Sequence, residues 1–294
     1  MKPFLKWAGG KGWLAERLAD EIMSTFPGLY IEPFLGAGAV ALALPESLPK
    51  RLSDINPHLM DLWRCVQTLP ADLVRELIAC EASYGNDADG FANARAYFNT
   101  IVRVPRPMWA FRSAHFLYLN ARCFNGLWRT NGAGRFNVPF GKRENPRTYD
   151  RDEMLAYSSR LPPASTSLSM EGFTSALARE FSKRIVKIKG DANRMRTCMA
   201  GVAVYADPPY HETFDGYAKE GFGEMDHTLL AGQLESLAAA GASVWTSNAD
   251  TPLVRALYSW AQIEEIEEQH NVGSKAERRG KRSCLLIRGG GAKR

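Results

Sequence analysis

An acid, two prolines and a tyrosine stand in line at the end of an apolar run, "VAVYADPPY", residues 202–210. Pro208 and Pro209 remove two backbone donors and fix two φ angles, so a strand carrying Val202, Val204 and Tyr205 must end there. Asp207 then lies where the strand meets solvent, in a stiff turn beside Tyr210. A carboxylate held next to an aromatic face suits a flat substrate that bears nitrogen. A second stretch, "EPFLGAG" at 32–38, sets Gly36, Gly38 and Ala41 in G-x-G-x-x-A spacing between a strand and a helix. Such a turn lets a cofactor approach the backbone closely. Asp54 follows 18 residues after Gly36, at the end of the next strand, where a carboxylate reaches two ribose hydroxyls. Taken alone, the glycine turn serves NAD, FAD or S-adenosylmethionine equally.

The charge is unevenly distributed. The net charge of the 294 residues is +5, yet residues 101–149 hold eight Arg and one Lys against the single acid Glu144. The same segment carries nine aromatic residues, among them Trp109, Phe124, Trp128 and Phe136. Cations that meet phosphates and rings that stack on bases suit a nucleic acid. A solvated basic surface over an aromatic core would give the same composition. The five cysteines are scattered with no C-x-x-C pair, and the five histidines have no ligand spacing. That pattern predicts a reduced, cytoplasmic protein without structural metal. No apolar run is long enough to cross a bilayer, and no signal peptide is visible.

The elements that would position these residues read as α/β. "WLAERLADEIMSTF" has helical spacing, "LYIE" and "RLSD" read as strands, and four helical segments occupy 57–123. "FNGLWRTNGAGRFNVPFG" has two Asn-Gly pairs and predicts a hairpin or ordered loop. The α/β alternation returns from Asp150, with a helix at 151–161 and strands at "VKIKGD", "GVAVYA" and "ASVWTSN". "QIEEIEEQ" and "SCLLIR" predict a closing antiparallel pair. Alternating strands and helices predict a mostly parallel sheet covered on both faces. A catalytic domain of 1–57 and 150–294 is therefore expected, interrupted by a helical domain at 58–149.

The motifs "KWAGGK" (6–11), "EPFLGAG" (32–38), "SDIN" (53–56), "YLNARCFNGLWR" (118–129), "FNVPFG" (136–141) and "DPPY" (207–210) occur in that order. Together they resemble the Dam family of DNA adenine-N6 methyltransferases, D12 class, in its alpha-type arrangement. The resemblance implies a Rossmann-like fold that uses S-adenosylmethionine, with an inserted helical target-recognition domain. Its implied partner is double-stranded DNA, with no membrane, no metal and no obligatory protein partner, acting as a monomer.

The reaction so implied agrees with the residues. The N6 lone pair of adenine is delocalised into the ring, so two acceptors on its hydrogens would draw it toward a tetrahedral amine. Asp207 supplies one acceptor and the Pro208 carbonyl the other, which Pro209 helps to hold. Tyr210 offers a stacking face. Positioning and electrostatics then carry the catalysis. Duplex DNA keeps N6 inside the stack, so the base must be flipped out. By resemblance, the cofactor contacts are Trp7, Gly10, Lys11, Phe34, Gly36, Gly38, Asp54, Asp191 and Asp207. Lys11 fits either the cofactor carboxylate or a DNA phosphate, and Asp191 fits either the cofactor adenine or a helix N-cap. DNA contacts fall on Arg122, Asn125, Arg129, Asn131, Arg135 and Asn137. The basic loop 275–281 fits phosphates or plain solvation equally.

The loop departs from GATC-specific members. They resemble "RYNLRGEFN" where this chain has "RTNGAGRFN", so Thr130, Ala133 and Arg135 replace a tyrosine, an arginine and an acid. A site other than GATC is the expectation, with Arg135 as a substitute reader. Residues 161–185 exceed the family's usual length and have no assigned role. A nicotinamide oxidoreductase would leave DPPY, KWAGGK and the basic segment unexplained. A catalytically dead DNA-binding protein would not need an intact DPPY. A protein-glutamine methyltransferase resembles NPPY and, like an RNA enzyme, stands below the DNA reading.

Overall fold

A computed structural model describes residues 1–101, 108–186, 198–211, 221–269 and 281–292. Its centre is a seven-stranded sheet in the order β3-β2-β1-β4-β5-β7-β6. The strands are β1 (Leu29–Glu32), β2 (Lys50–Asp54), β3 (Thr166–Met170), β4 (Val202–Ala206), β5 (Ser243–Ala249), β6 (Gln262–Gln269) and β7 (Lys281–Gly290). The first five run parallel, and β7 enters antiparallel between β5 and β6. The antiparallel pair is the one the sequence predicts.

Every residue of β1 and β4 is buried, as expected of parallel strands covered on both faces. The alternation of side chains sorts them into two cores. Tyr30, Ala203, Tyr205 and Trp245 join one core, while Leu29, Ile31, Val202, Val204 and Val244 join the other. The first core holds α1 (Ala15–Met23), α2 (Ala39–Ala43), α3 (Pro57–Thr68), α4 (Pro70–Tyr84), α5 (Ala88–Phe98), α6 (Trp109–Arg122) and α7 (Arg151–Ser159). The second holds α8 (Phe173–Val186), α9 (Glu224–Ala239) and α10 (Pro252–Leu257).

The helical segment 58–149 therefore shares one continuous core with a face of the sheet. Met154 and Tyr157 of α7 belong to the same core, and Ser158 Oγ donates to the Gln67 carbonyl at 3.0 Å. The helical layer thus extends past residue 149. Residues 161–185, without a role in the sequence, form β3 and most of α8. β3 pairs with β2 in a register that sets Met170 beside Asp54. Of the strand expected over 186–191, Val186 ends α8 and the remainder lies outside the described residues.

The chain start is pinned beneath the helical layer. Tyr157 Oη donates to the Lys2 carbonyl at 2.9 Å, Tyr149 Oη to that of Phe4 at 3.1 Å, and Asn120 Nδ2 to that of Lys6 at 3.0 Å. Just beyond, α1 is locked to the sheet through Glu21, which accepts from Arg288 at 2.7 and 2.8 Å and from Trp245 at 3.2 Å. The segment 6–11 is held from both sides.

Candidate active site

In open α/β sheets, ligands bind beyond the carboxyl ends of the strands where the strand order reverses. Here that point lies between β1 and β4. The turn 33–38 leaves β1, and the turn 207–211 leaves β4.

Gly36 has φ 48° and Gly38 φ 66°, the left-handed region that glycine enters without penalty. Helix α3 presses on this turn from one side. Trp63 Nε1 donates to the Gly36 carbonyl at 3.0 Å, and a Cβ at Gly38 would lie 2.8 Å from the Trp63 ring. A Cβ at Gly36 would lie 3.2 Å from the Trp7 ring. Trp7 stacks in turn on Phe116, with centroids 6.3 Å apart.

Asp54 closes the other side. Its Oδ2 accepts from the Gly36 amide at 3.0 Å and its Oδ1 from Asn56 at 2.9 Å. Burial raises its pKa above the ordinary carboxylate value, against the pull of these backbone donors. Behind Asp54, Ile55 is 71% exposed and Met170 is 53% exposed. Phe34 stacks on Phe173 at 5.4 Å, and Phe222 meets both rings edge-on or tilted. The turn thus offers bare backbone, a carboxylate and apolar surface together. Beneath it, Glu32 is buried and accepts from Tyr30 Oη at 2.9 Å. Burial drives the Glu32 carboxyl well above its usual range.

Asp207 leaves β4 into this space. Its Oδ1 lies 3.1 Å from Lys11 Nζ and accepts from Ser247 Oγ at 2.7 Å. Lys11 is only 4% exposed, donates to the Gly9 carbonyl at 2.7 Å, and stands 4.6 Å above the Tyr210 ring. Its ammonium therefore lies against the 207–210 turn. Gly10 donates its amide to the Trp7 carbonyl at 3.3 Å, which curls the segment so that Trp7 and Lys11 both reach the site. Pro208 is buried, and Pro209 and Tyr210 are partly so.

A second layer braces the turn's exit. The His211 amide donates to Asn248 Oδ1 at 2.9 Å, and its ring meets Thr251 Oγ1 at 3.0 Å. Asn248 Nδ2 lies 3.3 Å from His227 Nδ1. Burial lowers the His227 pKa to about 4, with His211 adding to the effect. Neither "TSN" nor His227 carried a signal in the sequence, because a serine and an asparagine in a strand are unremarkable until their neighbours are known.

The expected hairpin forms over 129–137. Thr130 bridges to Phe136, and Asn137 donates its amide to the Arg129 carbonyl at 3.1 Å. Asn131 Oδ1 accepts from the amides of Ala133 and Arg135, so its side chain shapes the turn itself. Residues 131–135 are all exposed, as is Arg129, whose Nε donates to Asn137 Oδ1 at 2.8 Å. The loop hangs from α5 and α6. Asn99 holds both backbone groups of Phe136 at 2.8 and 3.0 Å, and Phe136 stacks on Trp128 at 4.5 Å. Trp128 continues through Phe116 to Trp7.

Two of the expected DNA contacts sit differently from the rest. Arg122 is 4% exposed, lies on the Tyr118 ring at 4.2 Å and reaches Glu81 at 3.3 Å. Expected as a DNA contact, Arg122 packs its guanidinium inside the helical layer. Asn125 has φ 55° and turns the chain so that Gly126 packs on the Lys6 side chain, while the adjacent Phe124 is 37% exposed. Asp191 and residues 275–280 lie outside the described residues. The strand neighbouring β2 is β3, which ends at Met170.

Among the described residues no group of His, Cys, Asp and Glu has a metal-site arrangement, and no helix is long and apolar enough to cross a membrane. The model of the D12 class N6 adenine-specific DNA methyltransferases matches residues 7–272. The chain is 33% identical to a DNA adenine methylase of Haemophilus influenzae, over 97% of this chain and 92% of that protein. It is 32% identical to a DNA adenine methylase of Serratia marcescens, over 97% of each. It is 28% identical to the type II methyltransferase M1.LlaDCHI of Lactococcus lactis subsp. cremoris, over 98% of this chain and 95% of that protein.

Proposed function

The chain belongs to the D12 class of N6 adenine-specific DNA methyltransferases, and from that premise we propose how its residues divide the work and what DNA they read. It is an enzyme that methylates adenine in DNA. The observation that carries the residue assignment is Asp207 at the sheet's switch point, ion-paired to Lys11 and hydrogen-bonded to Ser247.

S-adenosylmethionine, when bound, supplies an electrophilic methyl group. The residues at the β1 turn fit such a molecule: Gly36 and Gly38 leave backbone bare where any Cβ would meet Trp7 or Trp63. Asp54 would take the ribose hydroxyls, and Ile55 with Met170 would flank the adenine. Phe34 walls the pocket through Phe173 and Phe222. Trp7, Gly10 and Lys11 close it from the chain start.

Asp207 and the Pro208 carbonyl accept the two hydrogens of the target amine and draw N6 toward tetrahedral geometry. The carboxylate takes the proton that the methylated nitrogen sheds. Lys11 places a positive charge beside that carboxylate, and Tyr210 stacks on the base. Preorganised charge of this kind is worth about 10²–10³-fold per group.

The duplex approaches over the hairpin. Arg129, Arg135 and Asn137 line its reading edge, with Asn131 shaping the tip, and Phe124 offers an exposed ring. The target base is flipped from the stack to reach Asp207. With Arg135 exposed at the tip and Ala133 lacking a polar group, the recognition sequence differs from GATC.

The test is transfer of labelled methyl from S-adenosylmethionine to unmethylated duplex DNA, with nucleoside analysis of the product and Asp207→Ala as control. Label in N6-methyladenine that vanishes in the variant supports the assignment. Sequencing of the methylated DNA then gives the site, and strict GATC modification overturns that part.

A further inference from the structure

The Ser247 hydroxyl is completely buried at the carboxyl end of β5 and has a single hydrogen to donate. That hydrogen goes to Asp207 Oδ1, 2.7 Å away. Tyr205 Oη lies 3.1 Å from the same Ser247 oxygen and is itself buried on β4. With the serine hydrogen committed to the carboxylate, Tyr205 must be the donor of the second bond. The three residues thus form a directed chain, Tyr205 to Ser247 to Asp207, running across neighbouring strands. Burial and the Asp207 charge raise the Tyr205 pKa well above its ordinary value, so the phenol keeps the proton it donates.

A carboxylate at the tip of a strand has one soft torsion that decides where its oxygens point. Lys11 sets its distance more than its direction, since an ammonium is a compact charge without a fixed fork of donors. A serine on a β-strand is rigidly placed, and its bond fixes one carboxylate oxygen in direction as well as distance. We propose that Ser247, set by Tyr205, is the positioning residue that aims the Asp207 carboxylate at the target amine. The role concerns the rate of methyl transfer, and leaves the binding of cofactor and DNA alone. It rests on the assignment of Asp207 as acceptor of the amine.

The neighbouring residue performs the matching task for the backbone. Asn248 holds the His211 amide at the far end of the Asp207–Tyr210 turn. Side by side on β5, Ser247 addresses the carboxylate and Asn248 the turn that carries the Pro208 carbonyl.

The test compares wild-type protein with Ser247→Ala, Ser247→Thr and Tyr205→Phe. Single-turnover methylation of duplex DNA is measured beside calorimetric affinity for S-adenosylmethionine and equilibrium binding of the duplex. Loss of a hydrogen bond to a charged group predicts a rate about ten- to hundredfold lower in Ser247→Ala. Both affinities should remain within about twofold, and Ser247→Thr, which keeps the hydroxyl, should recover most of the rate. Tyr205→Phe should slow transfer by roughly two- to fivefold without unfolding risk at Ser247. A wild-type rate in Ser247→Ala overturns the proposal. So does a loss of rate matched by equal losses of cofactor and DNA affinity that threonine fails to restore. If Ser247→Ala does not fold, an unchanged rate in Tyr205→Phe overturns it alone. Full activity in Asp207→Ala would instead remove the assignment beneath it, a result separable from either.

Discussion

Lys11 Nζ stands 3.1 Å from Asp207 Oδ1, although 196 residues separate them in the chain. The pair joins the loop before α1 to the turn after β4, and so closes the mouth of the sheet. Removing one member of a nearly buried pair costs more than removing both. A double-mutant cycle of Lys11→Met and Asp207→Ala should show coupling of about 1–3 kcal/mol in unfolding free energy. Strictly additive losses in denaturant titrations would contradict the contact.

The glycine turn gives a second prediction. At Gly38 a Cβ would press on the Trp63 ring at 2.8 Å, with φ at 66°. Gly38→Ala should lose about 2–4 kcal/mol of stability from overpacking and backbone strain together. It should also weaken S-adenosylmethionine binding, because Trp63 cannot move without breaking its bond to the Gly36 carbonyl. Calorimetric titration beside thermal melting checks both; a variant with wild-type melting and affinity would show that the turn is slack.

Arg129 and Arg135 test the reading edge. If Arg135 pairs with a guanine, Arg135→Ala should relax selectivity at one position of the methylated site by about 1–3 kcal/mol. An arginine that meets only phosphate would instead weaken binding uniformly and reduce the salt slope by about one charge. Sequencing of methylated libraries for Arg129→Ala and Arg135→Ala separates these outcomes residue by residue.

Acid should destabilise the fold in a defined window. Burial, with Arg112 alongside, pulls the His58 pKa to about 3, and burial holds His227 at about 4. In the unfolded chain both titrate near 6.5. Between about 4 and 6.5 the unfolded chain therefore binds protons that the native state does not, so stability rises with pH. Each histidine contributes about a tenfold change in the folding equilibrium per pH unit within its window. The raised Glu32 and Asp54 carboxyls act in the opposite direction, so the histidine share is read as a difference: the urea midpoint of wild type relative to His227→Gln should fall as pH drops below 6.5. A difference independent of pH down to 4.5 would refute this reading.

Much of the site was legible because its chemistry is local in sequence. DPPY, the glycine turn and Asp54 each announce a strand end and what sits on it, and all lie at the switch point. What stayed hidden depends on neighbours across the sheet. β3 reads "TSLSM", an edge strand half exposed, and lacks the apolar run that marks β4. Ser247 gains meaning only when β5 pairs with β4, and Trp63 only when α3 folds back on the turn. The surroundings of Arg122 were equally hidden: nothing in a basic stretch tells that Tyr118 and Glu81 draw this guanidinium inside. The division at 58–149 looked clean because composition changes there, while the core does not.

That undivided core bears on how such an enzyme changes its target. Trp63 ties the helical layer to the Gly36–Gly38 turn, and Phe116 links Trp7 to Trp128. Transplanting the whole layer between relatives would carry half of the proposed pocket with it. The stretch 131–135 projects into solvent, and Phe136 at its base is held by Asn99 and stacked on Trp128. If the hairpin reads the target as proposed, novelty in target choice is easiest there: a five-residue cassette can be rewritten, by nature or by an engineer, while the core below it stays untouched.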